Sequence, residues 1–180
     1  TTNPATSGAA RMDMRMINWF GDGNGYVGDI ALKPEVAHTI STSLSLHDES
    51  QKDWGVKLTP YYTQVENFID VDLLTTVNGV NYLKFANHDA IILGADLSAN
   101  AKIINHETLG EFKVKMIGSY TRGYRKDGKS ELYHLMPLSG KITLEHILGK
   151  WTTGLSTHLV YSKKQVSSLR LEPETAGYAI

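Results

Sequence analysis

Apolar and polar residues alternate along the segment 89–103. The odd-numbered positions are all apolar: Ile91, Leu93, Ala95, Leu97, Ala99, Ala101 and Ile103. The even-numbered positions from Gly94 to Lys102 are small or polar. Because a β-strand turns alternate side chains to opposite faces, this period of two predicts a strand. Most strands have about 5–6 residues, whereas a tilted strand needs about 9–11 to cross a bilayer. The length and the two unlike faces indicate a wall strand of a transmembrane β-barrel.

The same alternation recurs along the chain and predicts an all-β fold with no helix of useful length. Strands are predicted over 36–47, 54–69, 82–103, 111–125, 140–148 and 151–161, and a seventh begins at 177–180. The connections are of two kinds. Short, turn-like ones occupy 48–53, 105–110 and 148–150, and long polar ones occupy 70–81, 122–137 and 163–176. Short turns alternating with long loops are typical of outer-membrane barrels built from antiparallel up-and-down strands.

Composition narrows the class of protein. The chain has 180 residues, a formal net charge of −1 and no cysteine. The balanced charge gives no reason to expect nucleic acid or an anionic surface as a partner. The missing cysteines exclude a disulfide framework, a thiolate metal site and a cysteine nucleophile. The polar first residues are not a signal peptide, so we expect any export signal to lie upstream.

A soluble β-sandwich is the main alternative, because its strands also alternate. Such a module would use exposed Trp19, Trp54 or Trp151 to stack on a ligand such as a carbohydrate. Two features favour the barrel: the polar face is rich in Ser, Thr and Gly rather than charges, and aromatic residues lie near the strand ends, as in membrane girdles. These aromatic residues are Trp54, Tyr82, Tyr120, Tyr124, Trp151 and Tyr161. Six or seven strands are too few to close a single-chain barrel, which needs about eight or more, so we expect one stretch of a larger barrel.

Several segments in order resemble the C-terminal part of a TonB-dependent outer-membrane receptor. The similar segments are 32–35 (LKPE), 60–69 (PYYTQVENFI), 85–97 (FANHDAIILGADL), 135–138 (LMPL) and 177–178 (GY). Asp96 stands where the family usually has Glu. Within the family, residues 21–28 and 172–178 are most similar to the copper-receptor branch.

The resemblance implies a plugged barrel of about 22 strands in the outer membrane of a Gram-negative bacterium. It implies import of a metal ion or metal chelate, copper being favoured as the transported substrate, with the plug, the TonB complex and outer-membrane lipid as partners. We expect residues 1–180 to form a partial barrel, with 1–30 as a loop-rich lead-in. The resemblance also implies that the plug, the TonB-contacting segment and the last, aromatic-ended strand lie outside residues 1–180, so we expect that this chain alone would not transport a substrate.

Met12, Met14 and Met16 are the candidate metal ligands. Their spacing places them on one face of a strand, and thioethers are soft ligands suited to Cu(I). The competing interpretation is that they are ordinary flexible apolar residues.

Other candidates favour simpler interpretations. Asp22, Asn24 and Asp29 lie in a Gly-rich run, where oxygen ligands could hold a hard cation, but a tight turn explains them better. Glu172 and Glu174 are interpreted as solvated loop residues. The seven histidines are scattered, and no nucleophile elbow, Walker loop or zinc-protease motif is present, so we predict that the chain is not an enzyme.

Overall fold

A computed structural model describes residues 15–17, 22–50, 53–128 and 130–180. Within them, ten strands and one short 3₁₀ turn are formed. The strands are β1 (Arg15–Ile17), β2 (Gly25–Val27), β3 (Val36–Ser41), β4 (Leu44–His47), β5 (Trp54–Val77), β6 (Val80–His106), β7 (Gly110–Arg125), β8 (Ser139–Leu148), β9 (Trp151–Val160) and β10 (Tyr178–Ala179). The 3₁₀ turn is Ser168–Arg170. In this part of the chain, no helix has the length and apolarity needed to span a lipid bilayer.

All ten strands belong to one sheet. From β3 to β10 it is an antiparallel meander, in which β3 and β4 both pair with β5, and β5 to β10 follow in chain order. In the described residues, the β3–β4 edge and the β10 edge do not pair with each other, so the sheet is open. The predicted antiparallel up-and-down strands of a partial barrel are therefore confirmed.

The prediction of a long polar connection over 70–81 was wrong. The strands β5 and β6 continue through this segment and meet at a turn of two residues, Asn78 and Gly79, both with positive φ. An Asn-Gly pair is a strong hairpin signal, because both residues tolerate that conformation. Beyond Glu66 and Ala90 the hairpin extends past β3 and β7, so it forms a long arm at one end of the sheet. The short β2 pairs in parallel with this arm, at Gly25–Val27 against residues 82–84 of β6.

The two faces of the sheet differ in chemistry, and the register carries each face from strand to strand. Leu58 lies opposite Leu97, which lies opposite Gly118, and Ile142 and Leu144 continue the same face on β8. This face is apolar and exposed. Its large side chains open to solvent include Ile40, Leu44, Leu46, Trp54, Val56, Leu58, Tyr62, Met116, Tyr120, Ile142, Leu144, Trp151, Leu155 and Leu159.

Aromatic side chains bracket this apolar face on β5 and β7. Trp54 and Tyr62 are eight residues apart on β5, and Phe112 and Tyr120 are eight residues apart on β7. At a rise of about 3.3 Å per residue this is roughly 26 Å along each strand, or about 20 Å for a strand tilted by 40°. That band is close to the height of the apolar belt on outer-membrane barrels, about 25 Å.

The small buried core lies at the arm, not between two sheets. Tyr26 and Leu32 pack against Val71, Leu83 and Phe85 of the hairpin. A second cluster joins Val65 and Ala90 to Leu132, which comes from the β7–β8 connection. A sandwich would need a second sheet over one face, and Trp54 and Trp151 are 44% and 79% exposed. The arrangement of the described residues therefore does not support the sandwich alternative.

One close approach links the three central strands on the polar face. Tyr61 of β5 passes over Gly94 of β6, and its hydroxyl lies 2.6 Å from Thr121 Oγ1 on β7. A Cβ at position 94 would collide with the Tyr61 hydroxyl and with the carbonyl oxygen of Tyr120. The tyrosine ring can cross position 94 because glycine has no side chain there. An aromatic ring that covers a glycine on a neighbouring strand compensates for the packing that the glycine lacks.

Candidate functional site at the long-connection end

Three segments outside the meander converge on the β5–β6 arm. They are residues 22–35, the β7–β8 connection 126–138 and the β9–β10 connection 161–177. At the opposite end of the sheet, the part of the chain that the structure describes forms short connections, among them 107–109 and 149–150. The end with the arm is therefore where the chain has most freedom to build a specific surface.

Arg125 is the centre of an ionic cluster at this end, and only 1% of its own surface is exposed. Its Nη1 donates to the carbonyl oxygen of Val71 and to Asp72 Oδ1, each at 3.1 Å. Its Nη2 donates to Asp127 Oδ2 at 2.6 Å and lies 2.9 Å from His88 Nδ1. A buried guanidinium needs such partners because its desolvation is costly. The cluster therefore joins the end of β7, the arm and the β7–β8 connection.

Arg170 forms a second anchor and is also nearly buried. Its Nη2 lies 3.4 Å from Asp70 Oδ1, and its guanidinium lies over the rings of Tyr133 and Tyr26 at 4.7 and 5.6 Å. Its carbonyl oxygen accepts a hydrogen bond from Asn24 Nδ2 at 3.1 Å. Asp70 also lies 3.6 Å from Arg125 Nη1, so a single carboxylate bridges the two arginines.

Glu172 contradicts its interpretation as a solvated residue, because only 7% of its side chain is exposed. It accepts a hydrogen bond from Lys163 Nζ, from the backbone N–H of Ser167 at 2.8 Å and from that of His134 at 3.2 Å. Burial raises the pKa of the Glu172 carboxyl, but these donors outweigh it and hold the pKa below its usual value. Glu172 thus organises the β9–β10 connection from within.

The Gly-rich run agrees with the tight-turn interpretation. Asp22 Oδ1 accepts a hydrogen bond from the backbone N–H of Asn24 at 3.1 Å, and Asp22 Oδ2 accepts one from the Tyr26 hydroxyl. Burial raises the pKa of the Asp22 carboxyl, yet these hydrogen bonds leave it below the usual value. Asp29 pairs with Lys84 of the arm at 3.0 Å. These carboxylates point at protein partners, and each is used by the turn or by the arm.

The predicted methionine site lies mostly outside the described residues. Met12 and Met14 are not among them, and Met16 is described only as a backbone position of β1, opposite Tyr26. Since β2 pairs with the arm, the backbone at Met16 lies at the same end of the sheet as the arginine cluster. Among the described residues, no three His, Asp or Glu side chains converge as ligands for a metal ion.

The polar face of the meander carries a second feature, an open cavity of about 440 Å³. Its polar lining residues come from β5 to β9: Lys57, Thr59, Asp96, Ser98, Ser119, Ser139, Lys141 and His158. Hydroxyl groups and charged groups share this surface, as the alternation predicted for the face away from the apolar belt. The cavity lies on the side that faces the hollow of a barrel.

No sequence motif predicted the arginine cluster. Arg125 is 54 residues from Val71, and Arg170 is 100 residues from Asp70. The one local signal was the alternation of Asp70 and Asp72 with Val71 and Leu73, which matches a strand with one polar face. That alternation is the sequence signal that β5 continues beyond residue 69 into the arm.

Comparison with known proteins identifies the family. The family described as "TonB dependent receptor-like, beta-barrel" matches residues 6–180. Among solved structures, one titled "Copper transporter OprC" is similar with a TM-score of 0.67 and 18% sequence identity. The match covers 83% of this chain and 23% of that one, so the chain spans less than a quarter of that protein's length. A comparison with curated proteins finds no match.

The family match and the fold agree on what the chain is. A receptor barrel accounts for the single meander of long strands and for the exposed apolar face. It also agrees with the prediction that the chain is not an enzyme. The chain belongs to the β-barrel domain family of TonB-dependent receptors.

Proposed function

We propose that this chain forms part of the wall of an outer-membrane receptor that imports a metal ion or metal chelate by TonB-coupled transport. The receptor would lie in the outer membrane of a Gram-negative bacterium, with a plug domain in its lumen that contacts the TonB complex. The observation that carries the proposal is the apolar face of the open sheet, exposed along its whole height and bracketed by Trp54 and Tyr62 on β5.

The free energy of solvation supports this orientation. Burial of apolar surface away from water is favourable by roughly 25 cal/mol for each Å². A sheet in water with this many exposed aliphatic side chains would lack that stabilisation. Side chains such as Leu155 and Leu144 lie opposite each other on β9 and β8 and form a continuous patch, which marks a contact with lipid or with another protein. Hydrocarbon covers such a face, and the central strands β6, β7 and β8 are each paired with a neighbouring strand on both sides, as a lipid environment requires.

Copper is the substrate we favour. One solved structure with a similar fold is titled a copper transporter, although the likeness at this identity concerns the fold. Met12, Met14 and Met16 add soft thioether groups, and the backbone at Met16 lies beside the arm at the end of the sheet with the long connections. In a barrel of this kind the long connections face outward, where a substrate would first be met.

Transport by the receptor that carries this barrel wall tests the proposal. The receptor would be expressed in a Gram-negative host that lacks its own copper receptor, in otherwise identical strains with and without TonB. We expect copper uptake, measured with a radioactive isotope, only in the strain with TonB, and recovery of the receptor with outer-membrane fractions. Equal uptake in both strains would show that transport does not depend on TonB. Recovery of the receptor as a water-soluble protein would contradict its assignment as a membrane barrel.

A further inference from the structure

Two glycines lie side by side on the apolar face of the sheet. Gly118 of β7 lies opposite Gly140 of β8. Leu97 of β6 and Leu159 of β9 flank this pair in the same register row, each opposite one of the glycines. Because glycine has no side chain, the row has a gap between the two leucines. The gap is part of a groove of about 470 Å³ on the apolar face.

Large side chains bound the groove along the strand direction. Met116 and Ile142 lie opposite each other, two residues from the glycines toward the end with the short connections. Toward the end with the long connections lies Leu138, whose carbonyl oxygen accepts a hydrogen bond from the N–H of Tyr161 at 2.8 Å. All four side chains line the groove. The apolar face therefore has a bounded depression at the glycine pair, shaped to take a hydrocarbon chain.

A second cavity, of about 270 Å³, continues the groove toward the long connections. The two linings share Leu138 and Tyr161. Tyr120, two residues from Gly118 on the same face, also lines the second cavity. Tyrosines are frequent at the level of lipid headgroups, where the apolar ring and the polar hydroxyl are both accommodated. The second cavity therefore lies at the boundary between hydrocarbon and water.

Cations predominate among the charged residues of this second cavity, which are Arg122, Glu131, Lys163 and Lys164. Arg122 Nη2 donates to Glu131 Oε1 at 2.7 Å, and Lys163 Nζ pairs with Glu172. Lys164 is exposed and forms no ion pair with any described residue. The carboxylate of Glu131 is thus already paired, and the positive charge of Lys164 is available to an anion.

We propose that the groove holds an acyl chain of a phosphorylated lipid and that the phosphate lies against Lys164 and Arg122 in the second cavity. The inference rests on the proposed function, because the outward face of a barrel wall contacts lipid, whereas a plug lies in the lumen. Gly118 and Arg122 are four residues apart on β7, about 13 Å at a rise of 3.3 Å per residue. The ligand is therefore an extended amphiphile with its charge at one end.

This arrangement distinguishes a phosphorylated lipid from the other lipids of a bilayer. Ammonium and guanidinium groups form charge-assisted hydrogen bonds with a phosphate, and a zwitterionic headgroup brings a cation of its own that competes with them. The groove adds dispersion contacts along the chain, since chain atoms fill space between side chains. Inorganic phosphate would gain the electrostatic contribution alone.

Native mass spectrometry of the detergent-purified receptor that carries this wall tests the proposal. The probes are dimyristoyl phosphatidic acid and dimyristoyl phosphatidylcholine, which have the same acyl chains and different headgroups. Gly118→Leu fills the groove, and its Cβ has room because the nearest atom, the carbonyl oxygen of Ser139, would be 3.7 Å away. Lys164→Gln removes the charge. The matched controls are Gly154→Leu on the polar face and Lys150→Gln at the β8–β9 turn.

We expect the wild type to retain one phosphatidic acid under conditions that release phosphatidylcholine. Gly118→Leu should weaken the binding of phosphatidic acid by about tenfold, since leucine occupies the space of the chain. Lys164→Gln should lower the preference for phosphatidic acid over phosphatidylcholine by about fivefold, the effect of one lysine near a membrane surface. Both controls should stay within about twofold of wild type, and inorganic phosphate should not displace the lipid.

Wild-type retention of phosphatidic acid by folded Gly118→Leu would overturn the proposal, as would equal retention of the two lipids by the wild type. Displacement by inorganic phosphate would also overturn it, because the site would then bind the anion without the chain. A heat-modifiable shift in electrophoretic mobility verifies folding. If Gly118→Leu does not fold, Lys164→Gln still decides, since an unchanged lipid preference in that variant contradicts the phosphate contact.

The measurement needs neither TonB nor copper, so its outcome is independent of the uptake experiment. Selective lipid retention without copper uptake would support the lipid site and contradict the transport function. Copper uptake without selective retention would contradict the lipid site alone.

Discussion

Arg170 Nη2 lies 3.4 Å from Asp70 Oδ1, although the two residues are 100 positions apart in the chain. Both side chains are at least nine-tenths buried, so the pair is shielded from water and salt. The contact ties the β9–β10 connection to the long β5–β6 arm. Because Asp70 also approaches Arg125, the same carboxylate helps to hold the β7–β8 connection.

Replacing Asp70 with Asn should loosen both long connections. Two buried guanidinium groups would lose a shared counter-charge, and breaking a buried ion pair costs about 3–5 kcal/mol. Hydrogen-exchange protection of residues 126–138 and 161–177 should fall, while the central strands keep theirs. The control is Asp53→Asn, because Asp53 is 60% exposed and its pair with Lys102 should contribute at most about 1 kcal/mol. Equal effects of the two substitutions would contradict the anchoring role.

Arginine on the two faces of β9 should have opposite consequences. Leu155 and Ser156 are neighbours, both exposed, and they point to the apolar and the polar face respectively. In a bilayer, Leu155→Arg should destabilise the folded receptor by about 2–4 kcal/mol, and Ser156→Arg by at most about 0.5 kcal/mol. Denaturant unfolding of the receptor in lipid vesicles measures this difference. If both variants unfold like the wild type, the apolar face does not contact lipid.

Alanine at position 94 should destabilise the three central strands. Its Cβ would collide with the Tyr61 hydroxyl and the Tyr120 carbonyl oxygen, so the Tyr61–Thr121 hydrogen bond would be displaced. Overpacking of this kind costs about 1–3 kcal/mol. Gly154→Ala is the matched control on the polar face, because the nearest atom to its Cβ would be the Leu144 carbonyl oxygen at 4.0 Å. Similar unfolding curves for the two variants would argue against this packing.

The β9–β10 connection should lose stability in acid. Glu172 has a folded-state pKa below its ordinary value of 4.5, because Lys163 and two backbone N–H groups stabilise the carboxylate. This stabilisation is complete above pH 4.5 and is lost as the pH falls through the lowered pKa. Hydrogen-exchange protection factors for residues 161–177 should therefore decrease in that range. In Glu172→Gln the protection should be lower at neutral pH and should depend less on pH, and a pH dependence equal to wild type would exclude Glu172 as its source.

Replacing Met12, Met14 and Met16 together with Leu should weaken Cu(I) binding by the full receptor. Leucine keeps the apolar volume and removes the soft sulfur ligands, so an affinity loss of about tenfold or more is expected. Competition with a chromophoric Cu(I) chelator measures it. Met116→Leu is the control, since Met116 lies on the apolar face of β7. Unchanged Cu(I) affinity in the triple variant would show that these three methionines are not copper ligands.

The strands were predictable because their cause is local. The predicted strand 140–148 agrees with β8 to within one residue, and 151–161 agrees with β9 equally well. The error over 70–81 has an equally clear cause. Asp70 and Asp72 suggest a solvent-exposed loop, but both carboxylates pair with Arg125, which the chain reaches only 53 residues after Asp72.

The amino-acid sequence by itself determined that this protein has one apolar face and one polar face, since a period of two assigns each side chain to a face of its strand. Only the tertiary structure decided which charges meet. The pairing of Arg170 with Asp70 and of Glu172 with Lys163 depends on where the long connections fold back onto the sheet. Electrostatic partners are selected by distance in space, and distances across strands and closed loops leave no pattern in the order of the residues.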